Sequence, residues 1–434
     1  MNLEELKNKY KLINLFVELA EIPSPSLKEQ AVSKRIMEIL NLHEIKAQFD
    51  NYGNITAKIP PAPYCKEVAP LLLSAHMDVV GGSQSVNIRL SNDKKYIETD
   101  KTRTLGADDK AGVAAILDLA IEMNDLNSEI KHGPIEIIFT RDEETGMTGI
   151  HNLNASLLSS KYAIIIDGEL LGEHNNEGAG FTNVYIRVHS GKGGHSGINI
   201  SERTRINAIK VLSELDSQIP QGVYKEDERG VVTSINAGVS IGGTADVLLS
   251  ETAQNIYELA KENKKISDDY NRENIFDTVI RDSAFNVINT NAAAGYSIRS
   301  SEPQNEQELL NLIRQKVKDI NDKYNGFIQV DMEIKTHLKP FVKSPDTLLS
   351  DLIVKAGKKL NLSAEPKSFH AGAETHVLAN EKKNAKNEKF VPVIIGVANL
   401  RNIHSADEKL DWQSFLKGRE WLEEIVRTFA LEAD

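Results

Sequence analysis

His76 and Asp78 stand two residues apart at the end of an apolar run, LLLSAHMDVV (71–80). On an extended chain, residues i and i+2 point the same way. Asp78 can then hold the imidazole of His76 and leave its other nitrogen for a metal, or the two can be a buried pair with no metal. Gly106-Ala107-Asp108-Asp109-Lys110 sets two adjacent acids at the start of a helix, where they can serve as caps or as ligands. Asp142-Glu143-Glu144 follows the apolar run Ile135–Thr140. Charge runs are usually solvated faces. Directly after a buried strand, one carboxylate can instead bind a metal while its neighbour takes a proton from water. Asp167 ends Tyr-Ala-Ile-Ile-Ile-Asp, a place where turn residues also occur. His404 opens His-Ser-Ala-Asp-Glu408, shortly after Val391–Ala398.

Each segment has a purely structural reading by itself. Together, two histidines and several carboxylates at strand ends supply the nitrogen and oxygen ligands that zinc accepts. Their number suits two metals sharing a bridging carboxylate, at a separation of roughly 3.5–4 Å. The single cysteine, Cys65, excludes an internal disulfide and a cysteine-based zinc site. Any metal must therefore sit on His, Asp and Glu.

The elements that position these groups show in the hydrophobic pattern. Leu3–Leu19 predicts a helix, ended by Pro23 and Pro25, and Ser26 with Glu29 matches a capping box opening the next helix. Leu71–Val80, Ile135–Thr140 and Tyr162–Asp167 are short apolar runs, as buried parallel strands require. Lys110–Asn124 is helical. This is an α/β layer pattern. In open α/β sheets ligands bind at the carboxyl ends of the strands, which gathers the acid- and histidine-bearing segments at one edge. From near Gly178 the pattern changes. Strand Phe181–His189, helix Thr204–Gln218, strands Val231–Ser240 and Ala292–Ser300, helix Glu306–Tyr324 and strand Phe327–Lys335 read as β-α-β-β-α-β, a small antiparallel sheet with two helices on one face. After Ser344 come a helix, the strand Val391–Ala398 and a closing helix, Trp412–Leu431. The expected organisation is an α/β catalytic domain of residues 1–177 and 341–434, with a mixed central sheet flanked by helices. Residues 178–340 form an inserted α+β domain, with a polar stretch near 245–290 that is too long for a hairpin loop.

The 434 residues suit two domains, and 40% hydrophobic content supplies a core. The net charge of −12, with no basic stripe, excludes nucleic acid as the expected partner. No apolar run approaches the ~20 residues of a membrane span. The first residues lack the layout of a signal peptide, so a reducing cytoplasm is the expected location.

The segments SAHMDVV (74–80), TLGADDKAGVAA (104–115), HGPIEIIFTRDEETGMTG (132–149), GKGGHSGINI (191–200), SIRSS (297–301), HAGAET (370–375) and HSADEK (404–409) carry a resemblance that runs through nearly the whole chain. The sequence resembles the M20 family of dinuclear zinc peptidases. Within it, the nearest likeness is to the aminoacyl-histidine dipeptidase (Xaa-His dipeptidase, PepD-type) branch, with some to peptidase T-like proteins. The resemblance implies that His76 and Asp167 hold one metal, Glu144 and His404 the other, and that Asp108 bridges them. It implies Glu143 as the general base, Asp78 as the residue orienting His76, and a cis peptide bond between Asp108 and Asp109. The cofactors implied are two divalent ions, zinc first, with manganese or cobalt also accepted by such ligands. The inserted domain resembles the family's lid and dimerisation domain, which implies a homodimer. His195, in Gly-Gly-His-Ser-Gly, matches a histidine that reaches the active site, often the partner subunit's, and would stabilise an oxyanion. Arg299 matches an arginine that binds a substrate carboxylate. His370 and Glu374 are expected to line the pocket, with Glu374 in reach of a free substrate amine.

The implied reaction is hydrolysis of the peptide bond of small unblocked peptides, Xaa-His dipeptides first. Tripeptidase or aminopeptidase action and hydrolysis of N-acyl amino acids are the alternatives. A non-catalytic homologue would show the loss of a ligand or base, and all these positions are filled. The departures fall elsewhere. Val247 replaces an asparagine that often touches substrate, Thr375-His376 stands for the usual Cys-Gly, Ala406 stands for Pro, and the chain is shorter than the usual Xaa-His dipeptidase.

Overall fold

Four apolar runs become neighbouring parallel strands. Ile135–Thr140, Leu71–His76, Tyr162–Ile165 and Val391–Ile395 lie side by side in that order, and every residue in them is buried. Burial on both faces is why they read as continuous apolar runs and not as alternating ones. Antiparallel strands Lys46–Phe49 and Ile55–Ile59 extend the sheet at one edge. His174–Gly178, antiparallel to Val391–Ile395, and Lys367–Phe369 extend it at the other. The result is an eight-stranded mixed sheet flanked by helices. The strand Val391–Ile395 is thus slotted between Tyr162–Ile165 and His174–Gly178, although both precede it by more than a helix-bearing insertion in the chain.

The computed structural model describes residues 2–63, 65–228, 230–243 and 284–433. By internal contacts the chain forms two compact units, Met1–Ala179 with Pro340–Asp434, and Gly180–Lys339. In the first unit, helix Lys11–Glu21 and the closing helix Trp412–Glu432 meet through Phe16 and Phe415, packed edge to face at 5.7 Å. Such pairs add about 0.5–1.5 kcal/mol beyond their burial. A second, antiparallel sheet joins Asn399–Arg401, Lys409–Asp411, Tyr96–Thr99 and Ile88–Leu90.

The second unit is a five-stranded antiparallel sheet in the order 222–226, 232–242, 291–300, 180–190, 328–338. Val184, Ile186 and Val188 are buried with period two. They share one apolar cluster with Val211 and Leu215 of helix Ala208–Asp216 and with Leu309 and Ile313 of helix Pro303–Tyr324.

Several local expectations are corrected. The expected helix Leu3–Leu19 is two helices, Leu3–Lys9 and Lys11–Glu21, because Tyr10 is extended (φ −124°, ψ 108°). Helix Thr204–Gln218 is shorter, starting at Ala208 where the Asn207 side chain accepts from the Ile209 N–H. The strand Gly222–Glu226 adds an edge to the expected β-α-β-β-α-β order. Ser26 and Glu29 do not form a capping box. Helix Gln30–Leu42 has Glu29 at its N-cap with no side-chain cap bond, and both residues are drawn to partners far along the chain. The polar stretch near 245–290 lies outside the described residues as far as residue 283, and so does Val247. Among the described residues, no helix is long and apolar enough to cross a membrane.

Candidate metal centre

The parallel strands deliver their cargo to one edge. His76 is the last residue of its strand. Beyond Thr140, Asp142 takes a left-handed backbone (φ 54°) and turns the chain into the short helix Glu143–Gly146. Asp167 follows Tyr162–Ile165 by two residues. The small second sheet brings in the rest. Strands Asn399–Arg401 and Lys409–Asp411 pair across the loop that carries His404, and Lys409–Asp411 also pairs with Tyr96–Thr99, which feeds the loop toward Asp108. Helix Ala107–Asn124 begins with a cis bond between Asp108 and Asp109 and non-helical angles at both. It packs hard against the strand end. A Cβ on Gly112 would stand 2.4 Å from the Ile166 carbonyl oxygen, closer than side chains tolerate.

His76 Nδ1 donates to the Asp78 carbonyl oxygen (3.0 Å), which turns Nε2 toward Asp108 Oδ1 (3.1 Å) and Asp167 Oδ1 (3.4 Å). His404 Nε2 faces Asp108 Oδ2 (3.0 Å) and Glu144 Oε2 (3.2 Å). Asp108 therefore offers one oxygen to each imidazole. The Asp78 carboxylate touches His76 more loosely, at 3.5 Å. Its oxygens accept instead from the backbone N–H groups of Glu143 (2.9 Å) and Glu144 (3.1 Å) and from the Ser26 hydroxyl (2.7 Å). Asp78 thus ties the His76 segment to the Glu143-Glu144 turn. The same turn is held from behind by Glu29, which pairs with Arg141 (2.8 Å) and accepts from the Asp142 N–H (3.1 Å).

Grouped by the closeness of ligand atoms alone, the sets are His76, Asp109, Asp167 and His76, Asp108, Glu144. Asp109 belongs to the scaffold, because its oxygens already accept from the N–H groups of His76 (3.3 Å) and Gly112 (3.0 Å). The imidazole nitrogens define the division better, since each points at its own pair of carboxylates.

The electrostatics ask for cations. Burial first, then neighbouring acids, raises the Asp167 carboxyl to about 6 and the Glu144 carboxyl to about 7. Burial raises Glu143 well above the usual range. Burial opposes a proton on His76, yet Asp108, Asp167 and Asp78 hold its pKa well above normal. The Asp108 contact, with Glu144 beside it, raises His404 to about 9. Close carboxylates cannot all ionise without compensation. Glu144 Oε1 has no hydrogen-bond partner among the described residues. Two divalent ions would supply the missing charge, and imidazole nitrogens with carboxylate oxygens are ligands that zinc, manganese and cobalt accept. The residues fit a two-metal centre.

Glu408 belongs to the site and was not singled out by the sequence. It is buried, and its carboxylate accepts from the N–H groups of Gly106 (2.7 Å) and Asp108 (3.2 Å). Burial raises its carboxyl to about 7. One side chain therefore fastens the His404 loop to the Asp108 loop. Its only sequence signal is an acid four positions after His404. Glu408→Ala is expected to weaken metal binding about 10–100-fold, as loss of a ligand-supporting partner does, and Glu408→Gln less, because it keeps one acceptor oxygen. Titration of the metal-free protein with zinc, followed by calorimetry, measures both.

Among the pocket candidates, Glu374 starts helix Glu374–Glu381 and is 1% exposed, with the Thr140 hydroxyl beside its carboxylate. Its charge is felt by Glu143. His370 follows the edge strand Lys367–Phe369 and is exposed. In the second unit, His195 lies in a two-residue bridge with Val287 and is exposed. Its Nδ1 accepts from the N–H groups of Gly197 (3.1 Å) and Ile198 (3.3 Å), which leaves the ring proton on Nε2. Arg299 is half-buried over the Phe181 ring at 4.8 Å and forms no ion pair among the described residues.

The profile of peptidase family M20/M25/M40 matches residues 72–428. An uncharacterized Bacillus subtilis protein, YqjE, is 23% identical over 98% of this chain and 99% of its own length. Peptidase T of Listeria welshimeri is 30% identical over 51% of this chain, and the match spans only 63% of that relative. Among solved structures, aminopeptidase PepT from Bacillus cereus superposes with a TM-score of 0.77 at 20% identity, over 96% of this chain and 98% of its own. Aminoacylhistidine dipeptidase from Vibrio alginolyticus gives 0.60 at 18% identity, over 96% of each chain. These structures share the mixed α/β fold.

Proposed function

This chain belongs to peptidase family M20/M25/M40, and on that premise we propose that it is a metal-dependent peptidase hydrolysing the peptide bond of small unblocked peptides, dipeptides of the Xaa-His kind included. The observation that carries the reading is Asp108, with one oxygen toward His76 and the other toward His404. His76 and Asp167 would hold one ion, Glu144 and His404 the other, and Asp108 both, with zinc as the ion proposed. When bound, the ions supply Lewis-acid charge to the scissile carbonyl and acidify the attacking water.

The chain's own residues do the rest. Glu143 accepts the proton of the attacking water and delivers it to the nitrogen of the leaving amine. Asp78 fixes Glu143 through its backbone N–H, so the carboxylate does not wander between the two transfers. His195, with its proton on Nε2, donates to the carbonyl oxygen as negative charge develops there. Arg299, without a carboxylate partner of its own among the described residues, takes the substrate's C-terminal carboxylate. His370 lines the pocket. The second unit acts as lid and dimer contact of a cytoplasmic homodimer, as the resemblance implies.

A second reading is tripeptidase or aminopeptidase action, favoured by the 30% identity to peptidase T over half the chain. The test is hydrolysis of unblocked dipeptides, tripeptides and N-acyl amino acids by the zinc- and manganese-loaded protein. Cleavage of free peptides supports the reading, and their lengths decide between its two forms. Cleavage of N-acyl amino acids alone would sink it. Within the same assay, His195→Ala is expected to lower kcat by about 10²–10³-fold with KM little changed, as loss of an oxyanion donor does. Arg299→Ala is expected to raise KM instead. An effect of His195→Ala on KM alone would remove the oxyanion role.

A further inference from the structure

Strand 180–190 of the second unit has two unlike faces. Thr182, Val184, Ile186 and Val188 are buried, while Phe181, Asn183 and Tyr185 alternate with them and lie on the opposite face. Arg299 stands directly opposite Phe181 on the neighbouring strand 291–300, and its guanidinium lies over the Phe181 ring at 4.8 Å. From the other flanking strand, 328–338, His337 stacks on the same ring, with centroids 5.3 Å apart and planes inclined by 25°. His337 gets there through a register shift. Thr336 pairs with Thr182 and Leu338 with Phe181, so His337 is the additional residue of a β-bulge. Bulges of this kind re-aim a side chain.

Asn183 Nδ2 lies 3.1 Å from His337 Nε2 and 3.2 Å from the Tyr185 hydroxyl. The amide donates, so Nε2 accepts and the ring proton sits on Nδ1. A neutral imidazole therefore backs Phe181 and sets no positive charge against Arg299. The guanidinium itself is half-buried and has no ion pair among the described residues, and burial draws its pKa below the usual guanidinium value. Its cross-strand neighbour on strand 232–242 is Ser234, and the next residue on its own side of strand 291–300 is Ser297. On strand 328–338 the nearest carboxylate of that face is Glu333, opposite Tyr185 and ~13 Å along from Phe181. It is already paired with Arg187 (2.9 Å). A stacked guanidinium spends its flat face on the ring and keeps its N–H edge free. The stack thus presents an oriented fork with no anion of its own, and a carboxylate is an anion whose two oxygens match that fork.

We propose that Phe181 is the positioning residue of Arg299. Its ring, backed by the bulged His337, fixes the guanidinium so that the N–H edge takes the terminal carboxylate of the substrate bidentately. This rests on the peptidase reading above and on the role given there to Arg299, and it adds the residues that make that arginine a prepared receptor. An unstacked arginine on a sheet face would have to be ordered when the substrate arrives, whereas a stacked one is ordered beforehand. Leucine at position 181 fills much of the space and withdraws the π face, and tyrosine keeps the face.

The test compares one unblocked dipeptide with its C-terminal amide on the zinc-loaded wild type and on Phe181→Leu, Phe181→Tyr, His337→Ala, Arg299→Ala and the double variant Phe181→Leu with Arg299→Ala. The wild type is expected to favour the free carboxylate over the amide through KM. Phe181→Leu should raise KM for the free dipeptide about 5–30-fold, the worth of a partly desolvated cation–π contact, with kcat little changed, and should remove the same factor from the preference over the amide. Phe181→Tyr should restore the preference. His337→Ala, a change at an exposed residue, should act in the same direction by a smaller factor, and it carries the test if Phe181→Leu does not fold. In the double variant the leucine should add less than about twofold to the effect of Arg299→Ala, because the ring then has nothing to position. Equal losses on the free dipeptide and on the amide in Phe181→Leu, or a full further loss in the double variant, overturn the proposal and leave Phe181 a packing residue. A wild type with the same KM for both substrates overturns it too, through Arg299. A wild type that hydrolyses neither refutes the peptidase reading itself, and that outcome is recognised before any residue is changed.

Discussion

Glu143→Ala is expected to lower kcat by about 10³–10⁴-fold, at the upper end of what a positioned general base contributes, while the protein keeps its metal. The second clause is as important as the first. Glu143 lies beside the cluster but takes no part in the groups that could hold an ion. Its backbone N–H, which carries the contact to Asp78, survives the substitution. The change therefore leaves the scaffold intact and deletes only the carboxylate proposed to move the proton. Burial holds that carboxylate's pKa well above normal, the direction that suits a group taking up a proton. Zinc content and steady-state rates on an unblocked peptide, measured on one preparation, check both halves. Full activity in the alanine variant would assign the base elsewhere.

Asp108→Ala is expected to cost more, because it acts on both halves of the centre at once. One of its oxygens faces His76 and the other faces His404. Loss of a supporting partner already costs about 10–100-fold in metal affinity, and removal of a shared ligand should exceed that for each ion. The readout need not be activity. A ligand that binds only the folded state stabilises it by about 2.7 kcal/mol at a hundred times its dissociation constant. The wild type should thus unfold several degrees higher with zinc than with a chelator, and Asp108→Ala should unfold at nearly the same temperature in both. A wild-type-sized zinc response in the variant would end the bridging assignment.

How far the sequence speaks depends on whether a residue's partner is implied by its own neighbourhood. Leu71–His76 and Ile135–Thr140 were legible because burial on both faces leaves no alternative to a continuous apolar run. His76, Glu143, Glu144 and Asp167 were legible because they close such runs. Lys46–Phe49, Tyr96–Thr99 and Lys409–Asp411 were not, since short strands with polar residues have no run to show. Ser26 and Glu29 misled for the opposite reason. Their spacing is a local signature of a helix cap, but Glu29 is fully buried and pairs with Arg141, 112 positions on. A buried charge needs an opposite charge more than a helix needs a cap. Glu408 was silent because its partners are backbone N–H groups some 300 positions earlier, and no residue type announces a backbone donor.

The slot filled by Val391–Ile395 also has a bearing on how the protein is made. As the chain leaves the ribosome, Tyr162–Ile165 and His174–Gly178 appear with the space between them open. The whole of Gly180–Lys339 is then synthesised before the strand that fills it. Until then both flanking strands present bare edges, the condition that invites wrong pairing. The last histidine of the cluster, His404, follows that strand by nine residues. Sheet closure and completion of the proposed ligand set are therefore tied to one late event, since a nascent chain cannot bring His404 to His76 and Asp167 before its central sheet is complete.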